Sequence, residues 1–291
     1  MSDARGLGLQ LKRSERDRLT AAGVAAFPGF TLRLLARTPS TQDVVRAAAR
    51  AGAAEGFSCV AAEQSAGRGR QGRVWSAPAG TSLMASVLLR PQAAALPGVP
   101  IAAGLAIASA IVAMTGVDVR LKWPNDLLVD GAKLSGILAE VAATPDGPAV
   151  VLGFAVNLTV DTFPEGANGT SLHVLCPDTV PSWHALLAAV MTDLARHVGK
   201  LTSDGLPSLL PAWRAQAAGL GGVVTAMTPT GAVTGIATDI GDDGALLVET
   251  PAGTIRLVAG DVHIGSRPRE ATAVTIPLPS TAAPYVANAD M

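Results

Sequence analysis

Three arginines lie close together in the glycine-rich segment GRGRQGRVW, residues 67–75. Arg68, Arg70 and Arg73 have no acidic neighbour in sequence, because residues 65–116 contain no aspartate or glutamate. Guanidinium groups bind carboxylates and phosphates through paired hydrogen bonds. Three glycines make such a segment costly to order without a ligand. The segment therefore predicts a mobile anion-binding loop, although a solvated basic loop would have the same composition.

The spacing of Gly67, Gly69 and Gly72 also matches the G-x-G-x-x-G turn that binds dinucleotides. That turn requires a helix to begin at its last glycine and an acidic residue about 20 positions later. Here the chain continues RVWSAPAG, in which Pro78 and Gly80 disfavour a helix, and the acidic residue is missing. Both requirements fail, so the sequence argues against a Rossmann fold.

Two lysines and an aspartate form a second polar group, in KWPND (122–126) and KLSGILAE (133–140). Lys122 ends one predicted strand, Asp126 begins the next, and Lys133 follows an Asp-Gly turn. Taken alone, both lysines are typical of solvated strand ends. Placed beside the arginine loop, they would instead form a cationic cleft in which two anions can meet.

The surrounding pattern consists of short strands and a few helices. Strands are predicted at 30–37, 58–64, 81–89, 119–123, 126–130, 133–142 and 149–158, and helices at 42–52, 101–114 and 182–198. Ser40 would cap the first helix and Gly52 would end it. From Gly221 onward, short strands alternate with Gly-containing turns, which is typical of a small β-barrel of roughly 45 residues.

Composition limits the function classes. The 291 residues are 49% hydrophobic and 15% charged with a net charge of −1, which indicates a globular protein without a global affinity for nucleic acid or membranes. The longest apolar run, 101–114, is shorter than the roughly 20 residues that cross a bilayer. Cys59 and Cys176 have no metal-binding or redox spacing, and the N-terminus lacks a secretory signal, so we expect a cytoplasmic protein.

Taken together, these motifs resemble the biotin–protein ligase family. The matching segments occur in the family's order from about residue 31 to 266: PST (39–41), EQSAGRGRQGRVWSAPAG (63–80), KWPNDLLVDGAKLSGILAE (122–140), GFAVNL (153–158) and GALLVE (244–249). The resemblance implies an α+β fold with a mixed or antiparallel central sheet flanked by helices, as in class II aminoacyl-tRNA synthetases. A small SH3-like β-barrel would follow it. The implied division is an N-terminal extension (1–28), a catalytic domain (29–219), the barrel (220–266) and a flexible tail (267–291).

The family joins biotin to ATP with release of pyrophosphate and forms biotinyl-5′-AMP. It then transfers biotin to a lysine of the biotin carboxyl carrier domain of a carboxylase such as acetyl-CoA carboxylase. The resemblance implies that Mg²⁺ on the phosphates shares the neutralisation of charge. It implies no metal ligand from the protein. A closing loop, 65–76, would order around the adenylate and exclude water.

Residue roles carried over from the family fall into three groups. The implied biotin-binding residues are Ser40, Thr41, Gln64, Gly67, Arg68, Gly69, Lys133, Gly136 and Gly153. The implied ATP- or adenylate-binding residues are Arg68, Arg70, Arg73, Trp75, Lys122, Lys133 and Asn157. The implied catalytic residues are Lys133, Arg70, Asp126 and Lys122.

Several of these roles are specific. Lys133 would bridge the carboxylate of biotin and the α-phosphate, and Trp75 would stack on adenine. Asp126 would orient the acceptor lysine or accept its proton. Asn157 would lie near the ribose or adenine, and the two glycines 136 and 153 would let the ligand approach the backbone.

Two positions depart from the family pattern: Gln42 replaces the usual asparagine after Ser-Thr, and Ala155 replaces a glycine. Residues 1–27 are too short for a helix-turn-helix, so we expect the monofunctional type without an N-terminal DNA-binding domain. The sequence leaves the oligomeric state open.

A lipoate–protein ligase of the same fold is the main alternative. A non-catalytic nucleic-acid-binding protein is disfavoured, because only 3% of the residues are aromatic. The chain also lacks a G-x-S-x-G elbow, a Walker A loop and a paired histidine spacing for metal.

Overall fold

The computed structural model describes residues 11–228 and 231–265, so the predicted tail from residue 267 lies outside the described residues. In the described part of the chain the elements are α1 Arg13–Ala26, β1 Thr31–Thr38, α2 Thr41–Arg50, β2 Phe57–Gln64, β3 Ser82–Leu89, α3 Val99–Thr115, β4 Arg120–Lys122, β5 Asp126–Val129, β6 Ala132–Thr144, β7 Gly147–Asn157, α4 Leu172–Leu175, α5 Trp183–Asp204, α6 Leu210–Gln216, β8 Ala217–Ala218, β9 Val223–Thr228, β10 Gly231–Ile240, β11 Leu246–Thr250, β12 Gly253–Leu257 and β13 Asp261–Ile264. The strands and helices predicted from the sequence are confirmed, with boundaries shifted by a few residues.

The first eight strands form one mixed sheet in the order β1-β2-β3-β7-β6-β5-β4-β8. The pairs β1/β2 and β4/β8 are parallel, and the other neighbours are antiparallel. Strands β9–β13 form a separate five-stranded antiparallel sheet in the order β12-β11-β10-β9-β13. The predicted α+β class and the mixed central sheet are therefore confirmed.

Helices cover both faces of the central sheet. On one face α5 packs against β3, whose alternate residues Leu83 and Val87 join the same apolar cluster, and α3 packs against β4, β5 and β6. On the other face α2 buries Val45 against Cys59 and Leu88. All eight residues of β3 are buried in consequence, which explains why its sequence, SLMASVLL, contains no charged residue and does not alternate between apolar and exposed polar positions.

Helix α3 is apolar on every side because the protein surrounds it. The helical stretch Ala93–Thr115 is long and apolar enough to cross a membrane by those two criteria alone, but 72% of its tested window is buried within the described part of the chain. Core helices of soluble proteins meet the same criteria, so length and composition are weak evidence for a membrane span.

The segment predicted as an N-terminal extension contains a helix, α1, that the sequence analysis did not identify. It packs against α5, and Leu19 on this helix is only 2% exposed. A side-chain carbon at Gly23 would lie 2.4 Å from the Phe30 ring, so a glycine allows the helix to approach the chain that enters β1.

The small C-terminal sheet is attached to the central sheet through a few directed contacts. Trp123, buried after β4, donates a hydrogen bond from Nε1 to the carbonyl oxygen of Gly244 at 3.0 Å. Arg214 on α6 pairs with Asp239 at 2.6 Å. These contacts hold the C-terminal sheet beside the strands that carry the predicted cationic residues.

Candidate active site

Residues 67–75 form a closed turn rather than the start of a helix. The amide of Trp75 donates to the carbonyl oxygen of Gly67 at 3.0 Å, and the amide of Gly69 donates to the carbonyl oxygen of Arg73 at 2.7 Å. A side-chain carbon at Gly67 would lie 2.4 Å from the Trp75 carbonyl oxygen, so the pairing requires glycine there. The geometry is that of a hairpin turn, which agrees with the rejection of a Rossmann fold.

One end of the pocket above β6 and β7 is neutral and consists of Ser40, Thr41, Gln42, Gln64 and Ser86; we call it the polar end. The amide nitrogen and Oγ1 of Thr41 donate to Gln64 Oε1 at 2.7 and 3.2 Å. Oγ1 also lies 2.8 Å from Ser86 Oγ. Ser40 stands at the predicted N-cap of α2, but its side chain makes no capping hydrogen bond. The position was predicted correctly, whereas the capping role was wrong.

Gln42 extends across the floor of the polar end. Its Nε2 donates to the carbonyl oxygens of Leu138 and Val151 at 3.1 and 3.3 Å, and to Glu140 Oε2 at 3.0 Å. A side-chain carbon at Gly153 would lie 2.9 Å from Gln42 Cδ. Gln42 therefore packs directly over Gly153, which also lines the pocket, and the predicted role of this glycine in admitting the ligand stays a prediction.

At the opposite end, Arg70, Arg73 and Lys133 line the pocket, and Lys122, Asp126 and Asp261 line clefts that adjoin it; we call these six residues the cationic end. Lys133 Nζ lies 2.6 Å from Asp126 Oδ1, and Lys122 Nζ lies 3.9 Å from Oδ2. Arg73 pairs with Asp261. Four cations and two carboxylates leave an excess of two positive charges, which suits a site for anions.

Burial makes this excess costly. Removal from water lowers the pKa of Arg70 and of Lys122, and the carboxylates of Asp261 and Asp126 only partly offset the effect. Arg70 donates to Asn125 Oδ1 and to the carbonyl oxygen of Gly260, both at 3.5 Å, and neither acceptor is charged. An incoming phosphate would give these groups the counter-charge that the protein does not supply.

Two of the three loop arginines have acidic partners in the fold, although none of the three has an acidic neighbour in sequence. Arg68 pairs with Asp43 on α2 at 2.7 Å and lies 3.9 Å from Glu140 on β6. Arg73 pairs with Asp261 on β13. These acids are distant in sequence, and folding brings them to the loop.

Lys133 lies where the two ends of the pocket meet. Its Nζ is 5.6 Å from the centre of the Trp75 ring, and a side-chain carbon at Gly136 would be 3.2 Å from Lys133 Cε and 3.0 Å from Trp75 Cζ3. Gly136 therefore admits these two side chains to the sheet, and its predicted role in letting the ligand approach the backbone stays a prediction. The partly exposed Trp75 has a buried Nε1 without a hydrogen-bond partner in the described residues.

Asn157 is not brought into the pocket. Its Oδ1 accepts a hydrogen bond from Ser82 Oγ at 3.2 Å, and its Nδ2 donates to the carbonyl oxygen of Thr170 at 3.0 Å. The amide of Thr170 in turn donates to the carbonyl oxygen of Lys133 at 2.9 Å. Asn157 thus fixes the segment that holds the Lys133 backbone, and its predicted proximity to the nucleotide stays a prediction.

The structure brings most of the predicted site residues to one pocket. Those that line it are Ser40, Thr41, Gln64, Arg68, Gly69, Arg70, Arg73, Trp75, Lys133, Gly136 and Gly153. Lys122 and Asp126 line an adjoining cleft that shares Lys133 with the pocket.

Sequence reasoning missed several residues that line the pocket, and two of them, Gln42 and Asn125, make directed polar contacts. Gln42 was noted only as a departure from a pattern. Asn125, between β4 and β5, holds Ile137 through two hydrogen bonds and contacts Arg70. Its place inside the KWPND motif was the available signal.

Two family models match separate segments of the chain. A family model described as the biotin/lipoate A/B protein ligase family matches residues 34–157. A second, described as the biotin protein ligase C terminal domain, matches residues 219–265. The two matched segments contain the candidate site and the C-terminal antiparallel sheet.

Similar proteins extend the match beyond these segments. The chain is 35% identical over 263 residues to a biotin–[acetyl-CoA-carboxylase] ligase from Mycobacterium tuberculosis, which covers 86% of this chain and 94% of that one. A ligase of the same name from Paracoccus denitrificans is 36% identical over 248 residues, covering 80% of this chain and 100% of that one. The structure of a biotin protein ligase from Aquifex aeolicus in complex with biotin and ATP superposes with a TM-score of 0.70 at 25% identity, covering 81% and 98% of the two chains.

Proposed function

We infer, from the premise that this chain belongs to the biotin–protein ligase family, that it joins biotin to ATP and transfers biotin to a lysine of a biotin carrier domain. One observation carries the proposal: a neutral, hydrogen-bonding pocket end meets a cluster with excess positive charge at a single lysine, Lys133. An acid bound with its head group at the polar end would present its carboxylate to the cations.

The first step brings two anions together. The carboxylate oxygen attacks the α-phosphorus of ATP, the bond from that phosphorus to the bridging oxygen breaks, and pyrophosphate leaves with the electron pair. Repulsion between carboxylate and phosphate opposes this approach, and fixed cations in a partly desolvated site lower the barrier. We assign Lys133 to both anions, because it lies at the junction of the two pocket ends. Arg70 and Lys122 would hold the phosphates.

Magnesium belongs in this proposal as part of the nucleotide substrate. Among the described residues no group of three or more histidine, cysteine, aspartate or glutamate side chains is placed to hold a metal. We propose that Mg²⁺ enters on the phosphates of ATP, where it would share charge neutralisation with the protein's cations.

The second step transfers the acyl group. The ε-amine of the acceptor lysine attacks the carbonyl carbon of the mixed anhydride, the carbon–oxygen bond to phosphate breaks, and AMP leaves. The amine must lose a proton, and Asp126 is proposed to accept it or to orient the amine. Its carboxylate faces the cleft beside Lys133 and already contacts two ammonium groups. An acceptor lysine would replace one of these ammonium groups.

The mixed anhydride must be kept from water. The turn at 67–75 lies over the pocket and is closed by few hydrogen bonds, so we propose that loop 65–76 orders further around the adenylate. Limited proteolysis tests this: biotin with ATP should protect the bonds after Arg68 and Arg70. Cleavage at an unchanged rate would contradict the closure.

The function itself is tested by incubating the protein with biotin, Mg²⁺ and α-labelled ATP. We expect labelled biotinyl-adenylate and release of pyrophosphate, followed by labelled AMP when a biotin carrier domain is added. A matched reaction with lipoate in place of biotin tests the alternative substrate, because the matching family model includes lipoate ligases. Adenylate from lipoate and none from biotin would overturn the assignment.

A further inference from the structure

We propose that Gln42 selects the acyl acid, because its side-chain oxygen accepts a hydrogen bond from a urea N–H group of biotin. The inference rests on the proposed function and adds a specificity-determining residue to it. Gln42 stands where the family pattern has asparagine, so the side-chain contacts of Gln42 depend on a longer side chain than the family's usual one.

The orientation of the Gln42 amide is fixed by its surroundings. Its nitrogen faces three acceptors, which are the carbonyl oxygens of Leu138 and Val151 and the carboxylate of Glu140. A flipped amide would place its oxygen against three oxygens and lose all three bonds. Nε2 must therefore point at the sheet, and Oε1 must point away from these acceptors.

Oε1 is left without a partner in a buried position. The residue is only 4% exposed, and its Oε1 atom is buried and has no hydrogen-bond donor in the described part of the chain. It lies 3.1 Å from the position that a side-chain carbon at Gly153 would take, and both residues line the pocket. A buried acceptor without a donor is costly, so a ligand that brings a donor there is favoured.

The spacing along the sheet suits an extended acid. Gly136, beside Lys133, pairs with Ala155, whereas Leu138, beside Gln42, pairs with Gly153. The two pairs are two residues apart, or roughly 7 Å along the strands. An acid whose carboxylate meets Lys133 therefore places its far end near Gln42.

The chemistry of that far end separates the two candidate acids. The fused ring of biotin has a urea with two N–H donors, whereas the dithiolane ring of lipoate has no donor. Lipoate would leave Oε1 buried and unpaired, and sites built to pair with an N–H group discriminate strongly against ligands that lack it. Gln42 thus favours biotin within a family that also contains lipoate ligases.

The test combines a change in the protein with a matched change in the ligand. Gln42→Met keeps the length of the side chain and removes the acceptor. The ligands are biotin and its two cyclic carbamate analogues, in each of which one urea N–H is replaced by oxygen. We expect Gln42→Met to raise KM for biotin roughly tenfold with little change in kcat of adenylation. One of the carbamates lacks the N–H group that would donate to Gln42. For that analogue, KM in the wild type should be higher than KM for biotin, and Gln42→Met should not raise it further.

A purely structural role would give a different result. Gln42→Met also removes three hydrogen bonds to the sheet, so a structural defect would weaken biotin and both carbamates by the same factor, and this outcome overturns the proposal. Val45→Ala, on the same helix but outside the pocket, is the matched control, and it should leave the ratio of biotin to carbamate KM unchanged.

Two further measurements keep the test decisive. If Gln42→Met does not fold, wild-type protein that binds both carbamates as tightly as biotin overturns the proposal by itself. Calorimetric binding of the three ligands needs no turnover. Failure of the wild type to form biotinyl-adenylate would overturn the proposed function, while equal binding of biotin and both carbamates would overturn only the role of Gln42.

Discussion

The two ends of the pocket are suited to different kinds of interaction with a ligand. At the polar end, buried neutral groups are connected by hydrogen bonds, as between Thr41, Gln64 and Ser86, and their positions are fixed by the start of α2 and by strands β2 and β3. At the cationic end, ammonium and guanidinium groups from separate segments outnumber the carboxylates. The polar end depends on shape and on donor–acceptor geometry, whereas the cationic end depends on charge.

This difference separates recognition from chemistry. Hydrogen bonds to a head group form equally in the substrate and in the transition state, so they affect KM more than kcat. Fixed positive charge acts most strongly where negative charge is brought together, so it affects the rate of adenylation. Substitutions at the two ends should therefore have separable kinetic consequences.

The largest effect is expected at Lys133. Lys133→Ala removes the one cation at the junction of the two ends, and we expect kcat of adenylation to fall by roughly 10²–10³-fold. Biotin should still bind, because we propose that its head group binds at the polar end. Pyrophosphate release measures the rate, and calorimetry measures the binding. Wild-type rates of pyrophosphate release in this variant would remove Lys133 from the mechanism.

Substitution of Arg70, at the cationic end, should weaken the binding of the biotinyl-adenylate intermediate. Its guanidinium has no carboxylate within ion-pair distance in the described structure and so is available to a phosphate. Arg70→Gln is expected to weaken the complex with biotinyl-adenylate by roughly 10–100-fold, the range for a hydrogen bond to a charged group. Release of labelled adenylate in rapid filtration measures the change. Raised KM for biotin with normal retention of the adenylate would place Arg70 at the wrong end.

Lys122 allows the charge at the cationic end to be titrated. Burial lowers its pKa in the free protein, whereas phosphates favour the charged form and raise that pKa in the complex. At alkaline pH nucleotide binding should therefore take up a proton, and KM for ATP should rise by up to about tenfold per pH unit. The rise should begin below the usual pKa of lysine.

Lys122→Arg provides the control for this pH dependence, because arginine stays charged throughout the range. The variant should lose the proton uptake, which is measured by calorimetry in two buffers of different ionisation enthalpy. Proton uptake that persists in Lys122→Arg would assign the titration to another group.

The polar end is tested by Thr41→Val, which keeps the shape of the side chain and removes its hydroxyl. The hydroxyl now links Gln64 and Ser86, so both partners lose part of their fixed geometry. We expect KM for biotin to rise about fivefold with nearly unchanged kcat, as for the loss of one neutral hydrogen bond. A fall in kcat at constant KM would contradict the separation of recognition from chemistry.

Elements of the fold differ in how well the sequence predicts them. The strands were predictable because their apolar runs and turn residues are local signals, and β3 is the clearest case. Helix α1 was missed because its sequence, RSERDRLTAAGVAA, shows little apolar periodicity. Its burial against α5 depends on a few contacts such as those of Leu19, and tertiary packing rather than local pattern stabilises it.

Within the site, residue types were more predictable than their partners. Lys122, Asp126 and Lys133 could be grouped because tight turns connect their strands. The acids that pair with Arg68 and Arg73 could not, since they lie 25 and 188 residues away along the chain. For Gln42 the sequence shows an unusual residue, but only the fold shows that its nitrogen has three partners and that its oxygen has none among the described residues.

The smallest expected effect concerns the link between the cationic end and the C-terminal sheet. Arg73 is more than half exposed and pairs with Asp261 on β13, and exposed pairs contribute little to stability. Asp261→Asn keeps the shape of the side chain and removes its charge, which increases the positive excess beside Arg70. We therefore expect KM for ATP to fall by about twofold at low salt, with the difference lost at high salt as the charges are screened. Steady-state kinetics at two ionic strengths measures this, and a rise in KM would mean that Asp261 acts by holding the turn at 67–75 in place rather than by lowering the local charge.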